Sequence, residues 1–477
     1  MYKGIFIDGE EKYPKNTYAI FQPHTEELIA EVSDSTPEEM KKAIDSAYLA
    51  FQKIKALTSY ERSEILYSAA TILENEKEEV ARIIVTEAGK PITAARVEVD
   101  RSVQTLKFSA EEAKRSKGEF IGLDAAKGGA GRDAYTFYEP IGVVGAITPF
   151  NFPLNLTVHK VGPAIAAGNT IIVKPAEQTP LTSLKLAEIF IRAGLSEGAL
   201  NVVPGDGPTL GKVMLEDDRV QKISFTGSPA VGKLIKQQAG LKKVTLELGS
   251  NSALYIDQTV EPEELGAIVN KAVIGAFAYN GQVCISTQRI YLHKDIAEQF
   301  INLFVKKTKE LTFGSPFDEQ TLVTSLINKR SQSRILEWIE EAVSRGATIL
   351  TGGEAIGNGI LPTVLTNVDS TSSISCQEVF GPVVLLNTVK DEKEAIKEMN
   401  NSDYGLNAGI FTNHIKQALR IAHQLEVGQV FVNDVPTTRF DHMPYGGMKS
   451  SGYGYEGVKY AVQEMTKMKM ISLNYEG

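Results

Sequence analysis

The sequence predicts an α/β protein built around a parallel, doubly wound sheet. Short β-branched runs alternate with amphipathic helical stretches from Ile141 onward, and each run ends in glycine, proline or a polar turn. Strands and helices that alternate at this spacing form βαβ units. A chain of 477 residues is also long for one hydrophobic core. We therefore expect two or three domains, each with its own core.

The predicted elements fall into two series, before and after Gly249. The first has the strands VVGAI, TIIVK, LNVVP, KISFTG and VTLELG, with helices that begin at Pro180 and Ala230 among the elements between them. The second has ALYID, a helix over about residues 261–279, and the strands QRIYLH, GPVVLLNTV, NAGIFT and GQVFVN. It predicts a second α/β domain. Residues 117–139, with a glycine-rich turn between β-like arms, predict a projecting hairpin.

Composition and charge argue against several classes of function. The chain has 50 basic and 59 acidic residues, a net charge of −9 and no basic block, which makes nucleic acid and anionic membranes poor partners. Two cysteines cannot form a disulfide framework and indicate a reducing compartment, so a cytoplasmic location is expected. Acidic residues near the start leave no room for a signal peptide, and three prolines break the longest uncharged run, from Pro140. No metal site is predicted.

The loops that follow the first five strands predict a ligand site. Parallel sheets bind ligands at the carboxyl ends of their strands. The loops there are TPFNFP, KPAEQTP, PGDGPTLG, TGSPAVG and ELGSN, all rich in glycine, proline or hydrogen-bonding groups. One such loop would be ordinary, but five in succession are not. In the fourth, backbone amides near Gly227, Ser228 and Gly232 at a helix start could face a pyrophosphate.

The two cysteines lead to different expectations. Free cysteines are usually small core residues, and that role is expected for Cys376. Cys284 follows Asn280, Gly281 and Gln282, where a turn would expose backbone amides. The fifth strand ends in Glu247, a carboxylate at the ligand-facing edge. This setting raises the alternative that Cys284 is a nucleophile.

Seven motifs carry a family resemblance. They are TPFNFPLN, GNTIIVKPAEQTPL, FTGSPAVGK, VTLELGSNSA, GQVCIS, QEVFGPV and MPYGGMKSSGYG. In this order and spacing, the chain resembles the NAD(P)-dependent aldehyde dehydrogenase superfamily from near residue 15 to near residue 470. It looks closest to the branch that acts on lactaldehyde, glyceraldehyde 3-phosphate, phosphonoacetaldehyde and sulfolactaldehyde.

The resemblance implies a domain organisation. Residues 1–116 and 141–248 would form a Rossmann-like cofactor domain, and residues 249–452 a catalytic α/β domain. Residues 117–140 and 453–477 would form an oligomerisation arm. Such enzymes assemble through this arm as homodimers or homotetramers.

The resemblance also implies the catalytic roles. Cys284 would attack the aldehyde carbon, and the Asn151 amide with the Cys284 backbone N–H would hold the oxygen of the thiohemiacetal. Glu247 would activate the water that hydrolyses the resulting thioester, and Lys160 would support the proton path. The ordinary structural alternatives are a helix cap or helix surface for Asn151 and Lys160, and a solvated strand end for Glu247.

The cofactor residues follow from the same resemblance. Lys174 and Glu177 match residues that reach the adenosine ribose, and a carboxylate there would repel a 2′-phosphate. NAD is therefore preferred, with NADP as the alternative. Glu378 and Phe380 would position the nicotinamide ribose and ring. The remaining expected cofactor contacts are Thr148, Pro149, Phe150, Gly207, Phe225, Gly227, Ser228, Val231, Gly232 and Leu248.

The expected substrate is a short aldehyde that bears a hydroxyl or anionic group, of the lactaldehyde, sulfolactaldehyde or succinate semialdehyde type. Three cationic candidates, Arg101, His159 and Arg439, would select for charge. Val283 stands where phosphate-using relatives often have arginine, which disfavours a phosphate. The other expected substrate contacts are Phe152 and Ile285. Two alternatives are a CoA-acylating dehydrogenase, which characteristically lacks the glutamate matched by Glu247, and a cofactor-binding structural protein without turnover.

Overall fold

The computed structural model of the chain describes residues 2–115 and 118–475. It has the predicted α/β fold, with strands that run through almost the whole sequence. In chain order the strands are β1 (Tyr2–Lys3), β2 (Ile5–Ile7), β3 (Glu10–Lys12), β4 (Thr17–Phe21), β5 (Leu28–Ser33), β6 (Phe120–Gly122), β7 (Arg132–Pro140), β8 (Val143–Ile147), β9 (Thr170–Lys174), β10 (Leu200–Val202), β11 (Val220–Thr226), β12 (Lys243–Glu247), β13 (Ala253–Ile256), β14 (Arg289–His293), β15 (Thr348–Thr351), β16 (Ala355–Ile356), β17 (Gly359–Ile360), β18 (Thr363–Thr366), β19 (Val383–Val389), β20 (Tyr404–Gly405), β21 (Asn407–Phe411), β22 (Gln429–Val432), β23 (Met448–Lys449), β24 (Gly452–Tyr453) and β25 (Thr466–Asn474).

The helices cover the two large sheets, and those within residues 59–113 also pack against one another. They are α1 (Pro37–Ala56), α2 (Ser59–Asn75), α3 (Lys77–Ala88), α4 (Ile92–Ala113), α5 (Asn155–Ala166), α6 (Leu181–Arg192), α7 (Gly207–Glu216), α8 (Pro229–Gln238), α9 (Leu265–Phe277), α10 (Lys294–Lys309), α11 (Lys329–Ser344), α12 (Ser373–Cys376), α13 (Glu392–Asn400), α14 (Ile415–Ala422) and α15 (Val458–Glu464), with 3-10 turns at Leu123–Ala125 and Ala278–Gly281. Capping boxes at Thr36 and Thr58 fix the starts of α1 and α2.

The first large sheet has eight strands in the order β24-β12-β11-β8-β9-β10-β2-β3. Its five central strands are those predicted, and all neighbouring pairs among them are parallel. Their side chains alternate between two cores: Val143 packs on one face and Val144 on the other. Burial on both faces explains why these strands are continuous apolar runs. Their carboxyl ends lie together at one edge, as a ligand site requires.

The second large sheet has seven strands in the order β15-β18-β19-β14-β13-β21-β22, parallel except for the β15–β18 pair. The helix expected over residues 261–279 is shorter than predicted. It spans only Leu265–Phe277, because Tyr279 and Asn280 adopt left-handed backbone angles with φ of 48° and 57°. These angles turn the chain out of the helix and towards residues 282–285.

The predicted hairpin is present as the antiparallel pair β6 and β7. Strand β25 continues it, because Thr466–Asn474 pair antiparallel with the whole of Arg132–Pro140. After the second sheet and before the arm, the chain returns to the first sheet, where β24 pairs with β12. Residues 1, 116, 117, 476 and 477, which bound the expected domains, lie outside the described residues.

No helix among the described residues is long and apolar enough to cross a membrane. Within the same residues, no group of three or more His, Cys, Asp and Glu side chains could hold a metal ion.

Candidate active site

A cavity of about 410 Å³ lies at the carboxyl ends of the first sheet's strands. Loops after β8, β9, β11 and β12 line it from one side, and the Cys284 loop and the segment after α12 close the other. The lining includes Asn151, Glu177, Glu247, Cys284, Glu378 and Phe380. The structure therefore brings the expected nucleophile, oxyanion donor, base and three cofactor residues to one place.

A strained turn presents Cys284 to the cavity. Tyr279, Asn280 and Gly281 all have positive φ, and a Cβ at Gly281 would lie 2.2 Å from the Gly381 carbonyl oxygen. Buried amides hold the turn: Asn280 Nδ2 donates to the Ser325 carbonyl at 2.7 Å. Non-glycine residues adopt such angles at a cost, which a surrounding hydrogen-bond network can offset. The loop is thus fixed in place.

The Cys284 thiol lies 3.1 Å from the hydroxyl of Tyr445. Burial in the cavity wall raises the pKa of the thiol to about 11, although the Tyr445 hydrogen bond and the Arg439 charge act in the opposite direction. The resting thiol is therefore protonated near neutral pH. Sequence reasoning missed Tyr445 as a site residue, although the MPYGG motif contains it.

Asn151 does not cap a helix. Its side chain is buried, and Nδ2 donates to the carbonyl oxygen of Gln282 at 2.9 Å. Helix α5 begins only at Asn155, where Glu98 accepts from the first backbone N–H groups. An amide nitrogen carries two hydrogens, so Asn151 retains one for a ligand beside Cys284.

Glu247 is not a solvated strand end. The residue is 3 % exposed, and neither carboxylate oxygen has a hydrogen-bond partner in the described part of the chain. Burial, followed by the nearby Glu456 charge, raises the pKa of Glu247 well above its ordinary value. Such a carboxyl group can act as a base near neutral pH.

Lys160 is fully buried, so it is not a helix-surface residue. Its Nζ donates to Glu456 Oε1 at 2.5 Å and to Thr226 Oγ1 at 2.7 Å. Burial alone would raise the pKa of Glu456, but the positive charges around it, Lys160 first, lower it. Sequence reasoning missed Glu456: the quoted MPYGGMKSSGYG motif stops at Gly454, two residues before it.

The three cationic candidates differ in their surroundings. Arg101 donates twice to Asp441, at 3.1 and 2.7 Å, and His159 Nε2 lies 2.9 Å from the same carboxylate. Burial lowers the pKa of His159, and the Arg439 charge acts in the same direction, while the Asp441 carboxylate opposes both. Asp441, which sequence reasoning missed, already neutralises Arg101.

Arg439 keeps free donors. Its side chain is 8 % exposed, and Nε and Nη2 have no hydrogen-bond acceptor among residues 2–115 and 118–475. The nearest carboxylate oxygen, Oε2 of Glu456, is 3.6 Å from Nη2. Buried guanidinium groups without acceptors are costly unless a ligand completes them.

The apolar substrate candidates lie nearby. Val283 and Ile285, on either side of Cys284, pack in one cluster with Leu406 and Tyr445. Phe152 lies under the ammonium of Lys90, with Nζ 3.6 Å from the ring centre.

Eight of the expected cofactor residues line the cavity: Pro149, Phe150, Glu177, Gly227, Ser228, Leu248, Glu378 and Phe380. Glu177 Oε1 accepts from Lys174 Nζ at 2.5 Å and from the Gly207 backbone N–H at 2.9 Å. Ser228 caps α8 by accepting from the Val231 N–H at 3.4 Å.

Close packing fixes the turn between β11 and α8. A Cβ at Gly232 would lie 2.4 Å from Leu248, and one at Gly227 would lie 2.6 Å from Phe225. The backbone before α8 can therefore approach a ligand more closely than a bulkier sequence would allow.

Glu378 and Phe380 complete the cavity. Burial raises the pKa of Glu378 to about 7, while it accepts from the Ser250 N–H at 2.9 Å. Phe380 has a φ of 50° and meets Phe150 edge to face at 5.7 Å. The loop that contains Pro149 is joined to β9 by the Thr148 N–H, which donates to the Lys174 carbonyl. A helix start, two carboxylates and an aromatic wall in one cavity fit a nicotinamide dinucleotide.

Cys376 does not lie in the core, contrary to expectation. It is partly exposed, and its thiol is 3.0 Å from the Ser370 carbonyl oxygen. The reason is local: α12 is a single turn that buries only Ile374.

Comparison with known proteins adds independent findings. The profile of the aldehyde dehydrogenase family matches residues 10–471. The chain is 45% identical to the 3-sulfolactaldehyde dehydrogenase of Priestia aryabhattai, over 99% of this chain and 98% of that protein. Among solved structures it resembles aldehyde dehydrogenase 21 of Physcomitrella patens in complex with the reaction product succinate, with a TM-score of 0.97, 38% identity and coverage of 100% and 99%. It also resembles the NADP-dependent glyceraldehyde-3-phosphate dehydrogenase of Bacillus halodurans complexed with NADP, with a TM-score of 0.96, 34% identity and full coverage of both chains.

Proposed function

The chain belongs to the aldehyde dehydrogenase family, and we propose that it oxidises a short aldehyde carrying an anionic group, with Cys284 as the nucleophile. The enzyme is an NAD(P)-dependent oxidoreductase. The observation that carries the substrate proposal is the buried Arg439 guanidinium, of which two nitrogens have no hydrogen-bond acceptor among the described residues. The catalytic proposal rests on the meeting of Asn151, Glu247 and Cys284 at one cavity.

The first half of the reaction belongs to Cys284 and Asn151. The Cys284 thiol first loses its proton to solvent, and the resulting thiolate then forms a bond to the aldehyde carbon while the carbonyl electron pair moves to oxygen. The free N–H of the Asn151 amide and the Cys284 backbone N–H stabilise that oxygen. When bound, the nicotinamide dinucleotide supplies the hydride acceptor for the oxidation. Cys284 then holds the acyl group as a thioester.

The second half belongs to Glu247. Its unpartnered carboxylate takes a proton from water, the water oxygen bonds to the acyl carbon, and the carbon–sulfur electron pair returns to Cys284. We propose that the proton then passes to the buried pair of Lys160 and Glu456, which are hydrogen-bonded to each other. These steps release the carboxylic acid.

An anionic substrate fits the free donors of Arg439. A guanidinium can hold a carboxylate or sulfonate through paired hydrogen bonds. The named activity of the Priestia relative and the succinate bound to the Physcomitrella patens enzyme both concern anionic compounds. Val283, in place of a second arginine, makes a doubly charged phosphate the poorer match. A neutral hydroxyaldehyde such as lactaldehyde is the alternative.

We expect Arg439→Ala to lower kcat/KM at least tenfold, or about 1.4 kcal/mol, for an anionic aldehyde. A neutral aldehyde of equal length should lose much less, because it makes no ion pair and is affected only through the loss of the Arg439 charge near Cys284. The measurement is kcat/KM for succinate semialdehyde and for the neutral five-carbon aldehyde pentanal. Arg101→Ala is a weaker test of the same idea because Asp441 already engages Arg101. Equal losses for both substrates, or an unmutated enzyme that prefers the neutral one, would contradict the proposal.

NAD is the proposed preferred cofactor. Glu177 is partly exposed and joins Lys174 to the start of α7. A carboxylate at this position can accept hydrogen bonds from ribose hydroxyls but repels a 2′-phosphate. The Bacillus halodurans neighbour is NADP-dependent, so the preference needs its own test.

In that test, kcat/KM should be higher with NAD than with NADP. Glu177→Ala should lower the ratio of the two values about tenfold, because it removes the repulsion of the 2′-phosphate. Glu197→Ala, a change to another acidic residue outside the cavity lining, serves as the matched control and should leave the ratio unchanged. A native preference for NADP, or an unchanged ratio in Glu177→Ala, would refute the role of Glu177.

Two other functions are less well supported. CoA-acylating relatives characteristically lack the glutamate that Glu247 matches, and this chain has it in a buried site beside the nucleophile. A structural protein without turnover would not require the free donors and acceptors that surround Cys284. An NADH-absorbance assay with and without CoA separates all three functions.

Assembly through the arm is part of the proposal. The sheet of β6, β7 and β25 exposes large apolar side chains, including Phe120, Met468, Met470 and Leu473. Exposed apolar patches of this kind are typical of protein interfaces. We propose that they form the contact in a homodimer or homotetramer, which light scattering can measure.

A further inference from the structure

The hydroxyl of Tyr445 is in direct contact with the nucleophile. Tyr445 Oη lies 3.1 Å from Cys284 Sγ, and the residue is buried. Within the described residues, neither group has another side-chain hydrogen-bond partner. The backbone of Tyr445 exchanges two hydrogen bonds with Glu456, at 3.0 and 2.6 Å. The hydroxyl is therefore held in place by the segment that also supplies the proton-path carboxylate.

A cation lies on the face of the same ring. The Arg439 guanidinium carbon is 3.7 Å from the centre of the Tyr445 ring. A positive charge there withdraws electron density from the ring and makes its O–H a stronger hydrogen-bond donor. The guanidinium therefore contacts the phenol, and the phenol contacts the thiol.

We propose that Tyr445 is a catalytic residue that donates its O–H to Cys284 Sγ whenever the sulfur is a thiolate. The proposal rests on the proposed role of Cys284 as nucleophile. A thiolate has lost its proton, so in this pair only the tyrosine can donate. The sulfur becomes a thiolate twice: before it attacks the aldehyde, and again when hydrolysis returns the carbon–sulfur electron pair to it.

The hydrogen bond has a net benefit because the thiol is otherwise hard to ionise. Burial raises the pKa of Cys284, and the Tyr445 hydrogen bond lowers it. Each unit by which a thiol pKa falls towards the ambient pH increases the thiolate fraction about tenfold and reduces its intrinsic nucleophilicity only about threefold. The gain in attack rate is therefore about threefold for each unit, and the same bond stabilises the leaving thiolate in hydrolysis.

The test is alkylation of Cys284 by iodoacetamide, in a Cys376→Ser background so that only one thiol reacts. Tyr445→Phe removes a single oxygen and keeps the ring on which Arg439 lies. We expect its alkylation rate constant to fall about threefold to tenfold at every pH below the thiol pKa. The rate of the first NADH release should fall by a similar factor.

Tyr255→Phe is the matched control. Tyr255 is also fully buried and donates its hydroxyl to Asp257 at 2.9 Å, so its loss perturbs folding similarly without touching the thiol. Its alkylation rate should not change. An unchanged or faster rate in Tyr445→Phe would overturn the role of Tyr445 alone, whereas turnover that survives the loss of the Cys284 thiol would overturn the proposed function.

Discussion

Cys284→Ser is expected to reduce aldehyde oxidation by at least about ten-thousandfold while binding of the dinucleotide survives. A serine hydroxyl is far less acidic than a thiol, and the burial that raises the pKa of Cys284 would disfavour an alkoxide still more. The serine side chain is only slightly smaller than that of cysteine, so the turn that Asn280 holds should remain intact. Steady-state NADH formation measures the first effect, and quenching of protein fluorescence by NAD measures the second.

Cys376→Ser is the matched control for that variant. Cys376 is the second cysteine of the chain and does not line the cavity. Its turnover should remain close to that of the unmutated enzyme. Substantial turnover in Cys284→Ser, with Cys376→Ser inactive instead, would mean that the nucleophile has been assigned to the wrong thiol.

Glu247→Gln is expected to lower steady-state kcat by about a hundredfold to ten-thousandfold, the range typical of a lost general base. The first turnover should survive as a burst of about one NADH per active site, because attack by Cys284 precedes the step that needs the base. Rapid-mixing absorbance measures the burst, and mass spectrometry of the quenched protein should find the acyl group on Cys284. If the burst is lost as completely as the steady state, Glu247 has a different role.

The pH profile provides a second readout of Glu247. Its pKa is raised, and only the carboxylate form can accept a proton from water. Hydrolysis of the thioester should therefore slow as the pH falls through the raised pKa, well above the range in which an ordinary glutamate titrates. In Glu247→Gln the residual rate of hydrolysis should no longer fall with pH in this range, so the acid limb of the pH profile should be lost. Glu247→Asp keeps a carboxylate and should retain the limb at a lower rate.

Several features of the site could be predicted from residue order alone. Each strand of the first sheet is a short apolar run closed by a turn, and hydrophobic periodicity is a local property. Once the sheet is parallel, the loops after its strands must meet at one edge, which places Glu247 and the Asn151 loop together. The motif around Cys284 added that residue as the third member of the catalytic set, beside Glu247 and Asn151. Burial then gave these residues the environment that their predicted roles require.

Other features depend on contacts between residues far apart in the chain. Arg101, His159 and Arg439 were equivalent candidates in the sequence, yet Asp441 engages the first two, whereas two Arg439 nitrogens have no hydrogen-bond acceptor in the described part of the chain. Partners separated by hundreds of residues cannot be identified from local pattern, because charge compensation depends on distance in space. The same holds for Glu456, whose partner Lys160 lies 296 residues away.

The sequence by itself predicted the α/β class, the succession of strands along the chain and the hairpin, and its family resemblance identified the nucleophile and base candidates. These depend on periodicity, turn residues and motif spacing, which are local. Only the tertiary structure decided where α9 ends, that Cys376 is not a core residue, and that Tyr445 touches the thiol. Each of these depends on which surfaces are buried against one another, since burial sets both the cost of an unpaired polar group and the pKa of a titratable one.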